Sequence, residues 1–363
     1  MPITSLRILG PFRMRVAALF CAMTFLPHVV SAGTYINFDV DGALGAYATG
    51  INNAGHSIGV WWDATNSHCF LRQADGTIIT FDVARGSAPY PTAINSAGMI
   101  VGEYQDSIFA VHGFLRNLAG EFTTINVPGA GWKTNQGTVP WGINDAGTIV
   151  GYYYDIHNDQ HGFVRDAAGN YTSFDISDSI GYWENYINES GVITGTFATA
   201  GTTKGSFIYR GYIRDTLGNI SIFDASHAPY WTFVFGINSA GQVIGSYYYD
   251  EVNIGHGFLR GIDGTMTSFD VQTPGYLPYP IGIQDNGDIV GQYQPYNLQV
   301  WRGFRRNSSG VITSFRDPDA AFWAVHNIGA GTFPKAVSRN GKIAGFYVDS
   351  QGVEHPFVWL PTN

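Results

Sequence analysis

The apolar residues of this chain come in short runs. One stretch reads Gly142-Ile143-Asn144-Asp145-Ala146-Gly147-Thr148-Ile149-Val150-Gly151-Tyr152-Tyr153-Tyr154. Runs of β-branched and aromatic residues bounded by Gly, Asn and Asp predict strands joined by tight turns, in which Gly supplies the positive φ. His161-Gly162-Phe163-Val164-Arg165 follows, then a second glycine turn and Tyr171-Thr172-Ser173-Phe174-Asp175-Ile176. The whole unit predicts four short antiparallel strands.

The unit recurs. Ile51, Ile94, Ile143, Ile187, Ile237, Ile283 and Val337 hold equivalent positions, 43 to 54 residues apart. Seven such units fill residues 33–363 as a single domain, and four strands per unit of this length predict a β-propeller. The last unit stops after its third strand, His355–Trp359, while a surplus fourth-strand copy, Tyr35–Val40, opens the domain. Pairing the two closes the ring and removes two open sheet edges. The expected fold is all-β: a seven-bladed propeller of four-stranded antiparallel blades, with Tyr35–Val40 completing the last blade against His355–Leu360. An open solenoid would need polar caps, and none is visible.

The Ile-Asn-x-x-Gly-x-Ile-Val-Gly, His-x-Phe and Phe-Asp pattern resembles the HAF-type extracellular repeat family over essentially all of 33–363. The resemblance implies export and propeller geometry and little about activity.

Residues 1–32 stand apart. Arg7, Arg13 and Arg15 precede an apolar run from Val16 to Val30, broken by Pro27, and Val30-Ser31-Ala32 supplies small residues for cleavage. This reads as a secretory signal peptide, starting at Met1 or Met14, and too short to span a bilayer comfortably. A retained anchor is the competing reading. The expectation is a secreted or periplasmic protein, free of the membrane after cleavage.

Composition narrows the classes. Apolar residues are 45%, aromatics 15%, charged residues only 13%, and 46 are Gly. Disordered and long-helix proteins are excluded. The net charge of −9 becomes −12 once three arginines leave with residues 1–32, which disfavours nucleic acid and anionic lipid as partners. Cys21 leaves too, so Cys69 has no intramolecular partner and stability must come from a core.

Internal repetition separates scaffold from candidate chemistry. His68, His112, His161, His256 and His355 all head third strands. The first four precede Asp82, Asn126, Asp175 and Asp270 by 14 residues, and His355 meets the copy at Asp39. A pair that recurs in so many blades predicts a cross-strand hydrogen bond, not a catalytic dyad. Arg72, Arg116, Arg165, Arg214 and Arg260 recur at third-strand ends and are scaffold by the same reasoning. Blade 4 has Arg210 and Asp224 at the paired positions, a plausible ion pair. Blade 6 has Arg302 and Arg316, two cations, with Asp317 and Asp319 close enough in sequence to neutralise them. The alternative is a pocket for a ligand carboxylate or sulfate.

The segments between blades vary and carry aromatic residues, including Trp183, Tyr230, Trp231 and Trp323. Such rings fit a sugar-stacking rim as well as inter-blade packing. His227 and His326 fall outside the repeated histidine position. Glu184 and Lys335 lie where inner strands begin, near the channel. The candidates for chemistry are therefore His227, His326, Lys335 and Glu184. Those for ligand contact are Arg302, Arg316, Trp323, Trp231, Tyr230 and Trp183. No motif for a nucleophile elbow, phosphate loop, zinc site or EF-hand is present, so no cofactor and no metal are expected. Three readings follow: a monomeric binder of an extracellular glycan or polar small molecule, a polysaccharide lyase or glycoside hydrolase acting on an acidic polysaccharide, and a propeller that docks a protein.

Overall fold

The computed structural model describes residues 33–83, 87–201, 203, 206–225, 231–249, 254–271, 278–295, 300–322 and 329–362. His227, Tyr230, Trp323 and His326, and the expected leader 1–32, lie outside them. Among the described residues there are 28 strands and no helix.

The strands form a closed ring of seven blades. The inner strands are Gly45–Ile51, Ser87–Ile94, Gly137–Ile143, Ser179–Ile187, Trp231–Ile237, Tyr279–Ile283 and Ala330–Val337, each ending on the repeated Ile or Val. Each packs on the next, and Gly45–Ile51 packs on both Ser87–Ile94 and Ala330–Val337. The hydrophobic core is divided among the seams. Val150, Phe174 and Ile176 of blade 3 meet Tyr182, Ile193, Phe197 and Tyr212 of blade 4, for example. Within a blade, the glycine of each Ile-Val-Gly run lets the second strand approach the first closely. A Cβ on Gly151 would lie 2.0 Å from the Val139 carbonyl oxygen.

Ring closure uses both chain ends. Gly33–Asn37 pairs antiparallel with Phe357–Pro361, from Gly33 opposite Pro361 to Asn37 opposite Phe357. The ladder thus ends earlier than the expected span, Tyr35–Val40 on His355–Leu360. The Phe38 N–H still donates to the Pro356 carbonyl at 3.2 Å, but Pro356 has no N–H to return. The fourth-strand role passes instead to a side chain: Asp39 bonds His355 Nδ1 at 2.7 Å.

The repeated Asn forms a belt around the base of the channel. The Asn52, Asn95, Asn144, Asn188 and Asn238 Nδ2 groups each donate to the backbone carbonyl of the equivalent residue one blade on, at 3.0, 3.1, 3.3, 3.1 and 3.1 Å. Each Oδ1 accepts the N–H four residues later, as Asn144 does from Thr148 at 2.9 Å. Between these residues Gly147, at φ 80°, turns the chain. Blades 6 and 7 carry Gln284 and Ser338 instead. Closure there runs from the Asp285 N–H to the Arg339 carbonyl, and from Asn340 Nδ2 and Lys342 Nζ to the Asn53 carbonyl. These buried amides are all paired, so the belt fixes blade spacing without a desolvation penalty.

The outer positions follow the repeat. His68, His112, His161 and His256 bond Asp82, Asn126, Asp175 and Asp270 at 2.6–2.9 Å. Each of these imidazoles, and His355, stacks on a second-strand ring: Trp61, Tyr104, Tyr153, Tyr247 and Tyr347 respectively. Arg210 and Asp224 form the ion pair expected in blade 4, at 2.6 Å. The recurrent arginines latch blade to blade: Arg116, Arg214, Arg260 and Arg306 lie over Phe81, Phe174, Phe223 and Phe269 of the preceding blade. In blade 7 the same position is Trp359, which stacks on Phe315 of blade 6.

Candidate binding site at the channel mouth

The inner strands leave a central channel whose two ends differ. At the base the ring of Ile51, Ile94, Ile143, Ile187, Ile237, Ile283 and Val337 narrows it. Arg339 of blade 7 then reaches across to blades 2, 3 and 4. Its guanidinium pairs with Asp145, lies 3.4 Å from Glu189, and donates to Ser96 Oγ at 2.9 Å. Above this floor the channel widens into a cavity of about 710 Å³.

Inner-strand residues alternate in direction, so every second one faces this cavity. They include Tyr47 and Thr49, Tyr90 and Thr92, Trp141, Phe235, Tyr279 and Lys335. A chain of ring contacts runs from blade 6 to blade 1, and its members Tyr279, Phe346 and Tyr47 line the cavity. Tyr279 meets Trp301 at 5.9 Å, Trp301 meets Phe333 at 5.9 Å, Phe333 stacks on Phe346 at 4.7 Å, and Phe346 meets Tyr47 at 5.9 Å. Across blades 4 and 5 lies a second group. Trp183, 51% exposed, sits against Tyr209 and Phe233, and Trp231, 37% exposed, sits edge-on to Tyr248. Exposed tryptophans on rigid strands present stacking faces to solvent.

Blade 4 departs from the repeat here. Six blades place Gly or Ala just before the final Ile or Val: Gly50, Ala93, Gly142, Gly236, Gly282 and Ala336. Blade 4 places Tyr186. The register shift, elsewhere at that small residue, falls between Tyr182 and Asn185 in this strand. Asn185 turns into the seam, where its Nδ2 donates to the Gly151 carbonyl at 2.9 Å and its Oδ1 accepts from the Tyr212 hydroxyl at 2.6 Å. Its neighbours Glu184 and Tyr186 line the cavity, and the Tyr186 hydroxyl donates to Glu184 Oε2.

Electrostatics single out the same residues. Burial raises the Glu184 pKa, opposed by the Tyr186 hydrogen bond and by Lys335. Burial also raises Glu354, opposed by Lys335. Lys335 is exposed to channel water but ringed by protein. This enclosure lowers its pKa, against the pull of Glu354 and Glu184, and its ammonium lies 5.5 Å from the Phe346 ring centre. Perturbed acids and a perturbed amine in one cavity mark a place where a ligand or proton can be handled. The lining sets Glu184 and Glu354 against Lys335 and Arg339, and Asp145 and Glu189 already engage Arg339, so the cavity offers an anion no surplus of positive charge.

Of the expected site residues, the structure brings Glu184 and Lys335 together in the cavity and places Trp183 and Trp231 on the same face. It does not bring Arg302 and Arg316 there; neither lines the cavity. Asp317 offsets the Arg316 charge only at a distance, without an ion pair. The Asp317 and Asp319 carboxylates accept from Asn37 Nδ2, at 3.3 and 2.9 Å, and neither forms an ion pair with Arg302 or Arg316 among the described residues. Tyr186, Glu354 and Trp141 were not among the expected residues. Tyr186 breaks the small-residue position of its strand and could have been found that way. Glu354 and Trp141 sit at positions with no such signal.

Among the described residues no cluster of three or more His, Cys, Asp and Glu is arranged to hold a metal. No protein-family model matches the chain, and no curated protein matches it in sequence. Solved structures do match. An oligogalacturonate lyase in complex with manganese superposes with a TM-score of 0.59 at 10% identity, over 92% of this chain and 98% of that one. A streptogramin B lyase gives 0.57 at 13% identity, over 91% and 97%. The propeller domain of the trilobed protease from Pyrococcus furiosus, described as an open velcro, gives 0.55 at 8% identity, over 88% and 98%. At these identities the likeness shows the architecture alone: the chain is a β-propeller.

Proposed function

We propose that this is an exported propeller of the HAF-type repeat class that binds an extracellular glycan in the channel mouth, through a neutral sugar. One observation carries the reading: the rings of Tyr47, Tyr90, Trp141, Phe235, Tyr279 and Phe346 line one cavity together with hydrogen-bonding side chains. Aromatic faces stack on the apolar side of a pyranose, while Glu184, Tyr186, Thr49, Thr92 and Gln292 offer donors and acceptors to its hydroxyls. The volume falls in the range of small-molecule sites, about 300–1,000 Å³. The test is retention of the protein on a panel of neutral and acidic polysaccharides, with Trp141→Ala as control. Retention on at least one neutral glycan, weakened about fivefold or more by the substitution, supports the reading. Equal retention of both proteins, or none, rejects it.

A second reading has its own support. Glu184, held by Tyr186 and raised by burial, keeps its proton to a higher pH than a free glutamic acid, and it shares the cavity with the perturbed Lys335 and Glu354. Such a set can donate and accept protons, as glycoside hydrolysis or lyase chemistry requires. Reducing ends released from the same panel without ultraviolet absorbance would mean a hydrolase. Absorbance of an unsaturated product would mean a lyase.

A further inference from the structure

We infer that blade 6 carries a second site, an oxyanion site between Arg302 and Arg316 that takes a carboxylate or a sulfate. It lies outside the cavity lining and does not require the cavity to bind a sugar.

The inference starts from the pairing rule. Gly303 lies opposite Phe315 in the blade 6 ladder, so Arg302 and Arg316 are neighbours across the third and fourth strands. That position joins a hydrogen-bonded pair in every other blade: five imidazoles with Asp39, Asp82, Asn126, Asp175 or Asp270, and Arg210 with Asp224. Four of the imidazoles have a further acid at Nε2, from the loop before their strand: Asp63, Asp106, Asp155 and Asp349, at 3.1–3.7 Å. Blade 6 has lost every one of these acids. The fourth-strand partner is Arg316. In sequence, residues 294–299 ahead of the blade's third strand read Gln-Pro-Tyr-Asn-Leu-Gln, and the stretch from Ala320 to Pro334 contains no Asp or Glu.

The remaining acids are committed elsewhere. Asp317 and Asp319 accept from Asn37, and Asp288 holds Arg305. Asp317 is buried with one oxygen unpartnered, and burial raises its pKa, against the smaller pull of its hydrogen bonds from Asp319 and Asn37 and of the Arg316 charge. Among the described residues the Arg302 side chain makes no hydrogen bond, ion pair or ring contact, and its Nε is buried without a partner. Arg316 is oriented: its guanidinium lies 3.5 Å from the Phe322 ring centre and donates to the Ala320 carbonyl. Burial lowers the Arg316 pKa, and the Arg302 charge lowers it further, against the smaller pull of Asp317 and Tyr35. Two guanidiniums held side by side repel. An oxyanion between them removes the repulsion and offers acceptors to both forks.

The test uses the protein's own repeat. Arg302→His with Arg316→Asp rebuilds the pair found in other blades and so should fold. Melting is compared in sodium sulfate and sodium chloride at equal ionic strength. Near a tenfold excess over Kd, sulfate should raise the wild-type Tm by about 1–3 °C more than it raises that of the double variant. Arg302→Gln, a single change, should also lose the excess. A glucuronate-bearing oligosaccharide that exceeds sulfate at equal concentration would show that the anion arrives on a glycan; parity would show that a free anion suffices. The same sulfate response in wild type and both variants overturns the site, and so does no excess over chloride. Neither result depends on retention by neutral glycans.

Discussion

The two ends of the channel are built from the same seven strands by opposite means. At the base every blade contributes the same parts: a β-branched residue narrows the opening, an Asn or its substitute ties one blade to the next, and Arg339 spans the gap. At the mouth the blades differ. Tyr47, Tyr90, Trp141, Glu184, Tyr279 and Lys335 face one cavity from six blades. Repetition therefore closes the ring, and departure from it equips the ring. The blade 4 strand shows both in nine residues. Ile187 keeps the base, whereas Asn185 and Tyr186 abandon the usual register and put a carboxyl group in the cavity.

That contrast can be broken from the base upward. Deleting residues 33–40 removes the closing strand and Asp39 together. It should cost several kcal/mol, a large share of ordinary stability, and lower Tm by about 10 °C or more. Unchanged melting would mean that the ring does not depend on its velcro. Asn144→Ala strikes the belt. It removes the donor to the Asn188 carbonyl and the acceptor for the Thr148 N–H, leaving buried groups unpaired. A loss of about 2–3 kcal/mol in denaturant unfolding is expected, with sugar retention unchanged in the folded fraction.

A smaller effect tests the closure pair. Burial pulls the His355 pKa down, but Asp39 and then Asp349 outweigh it, and the value ends raised. Its stabilisation is then complete below the unfolded histidine pKa, about 6.5, and fades as pH rises through the folded value. Tm should fall between pH 6 and pH 9, and His355→Gln should flatten part of that slope. A steeper slope in the variant would contradict the assignment. His161→Gln, in a repeated pair with no role in closure, should cost below about 1 kcal/mol and spare any binding.

Much of the fold was legible because equivalent residues do equivalent work. The Ile spacing counted the blades, and the His–Asp offset predicted five side-chain bonds later found at 2.6–2.9 Å. The closing strands pair as expected, but the ladder stops at Asn37 because Pro356 cannot return a backbone hydrogen bond, a local effect that the repeat alone does not encode. The site was legible only in part. Glu184 and Lys335 could be placed by their position in inner strands. The partnership of Glu184 with Tyr186 depends on a shifted bulge, and that of Lys335 with Glu354 on the first and third strands of blade 7 opening into the same cavity. Arg302 and Arg316 stood out as a broken pair, but their distance from the cavity and the diversion of Asp317 to Asn37 needed three dimensions.

The central claim is that the mouth binds while the base merely holds. Glu184→Gln tests it most directly, measured by calorimetric titration with the best neutral oligosaccharide of the panel and by melting in parallel at pH 7.5. Burial raises the Glu184 pKa, so its carboxylate contributes nothing to stability at that pH and its neutral amide should melt at the same temperature or slightly higher. The account predicts that result together with a loss of about tenfold or more in affinity, or of turnover if the protein is an enzyme. Unchanged affinity and turnover with unchanged melting would contradict it and remove the channel mouth as the site.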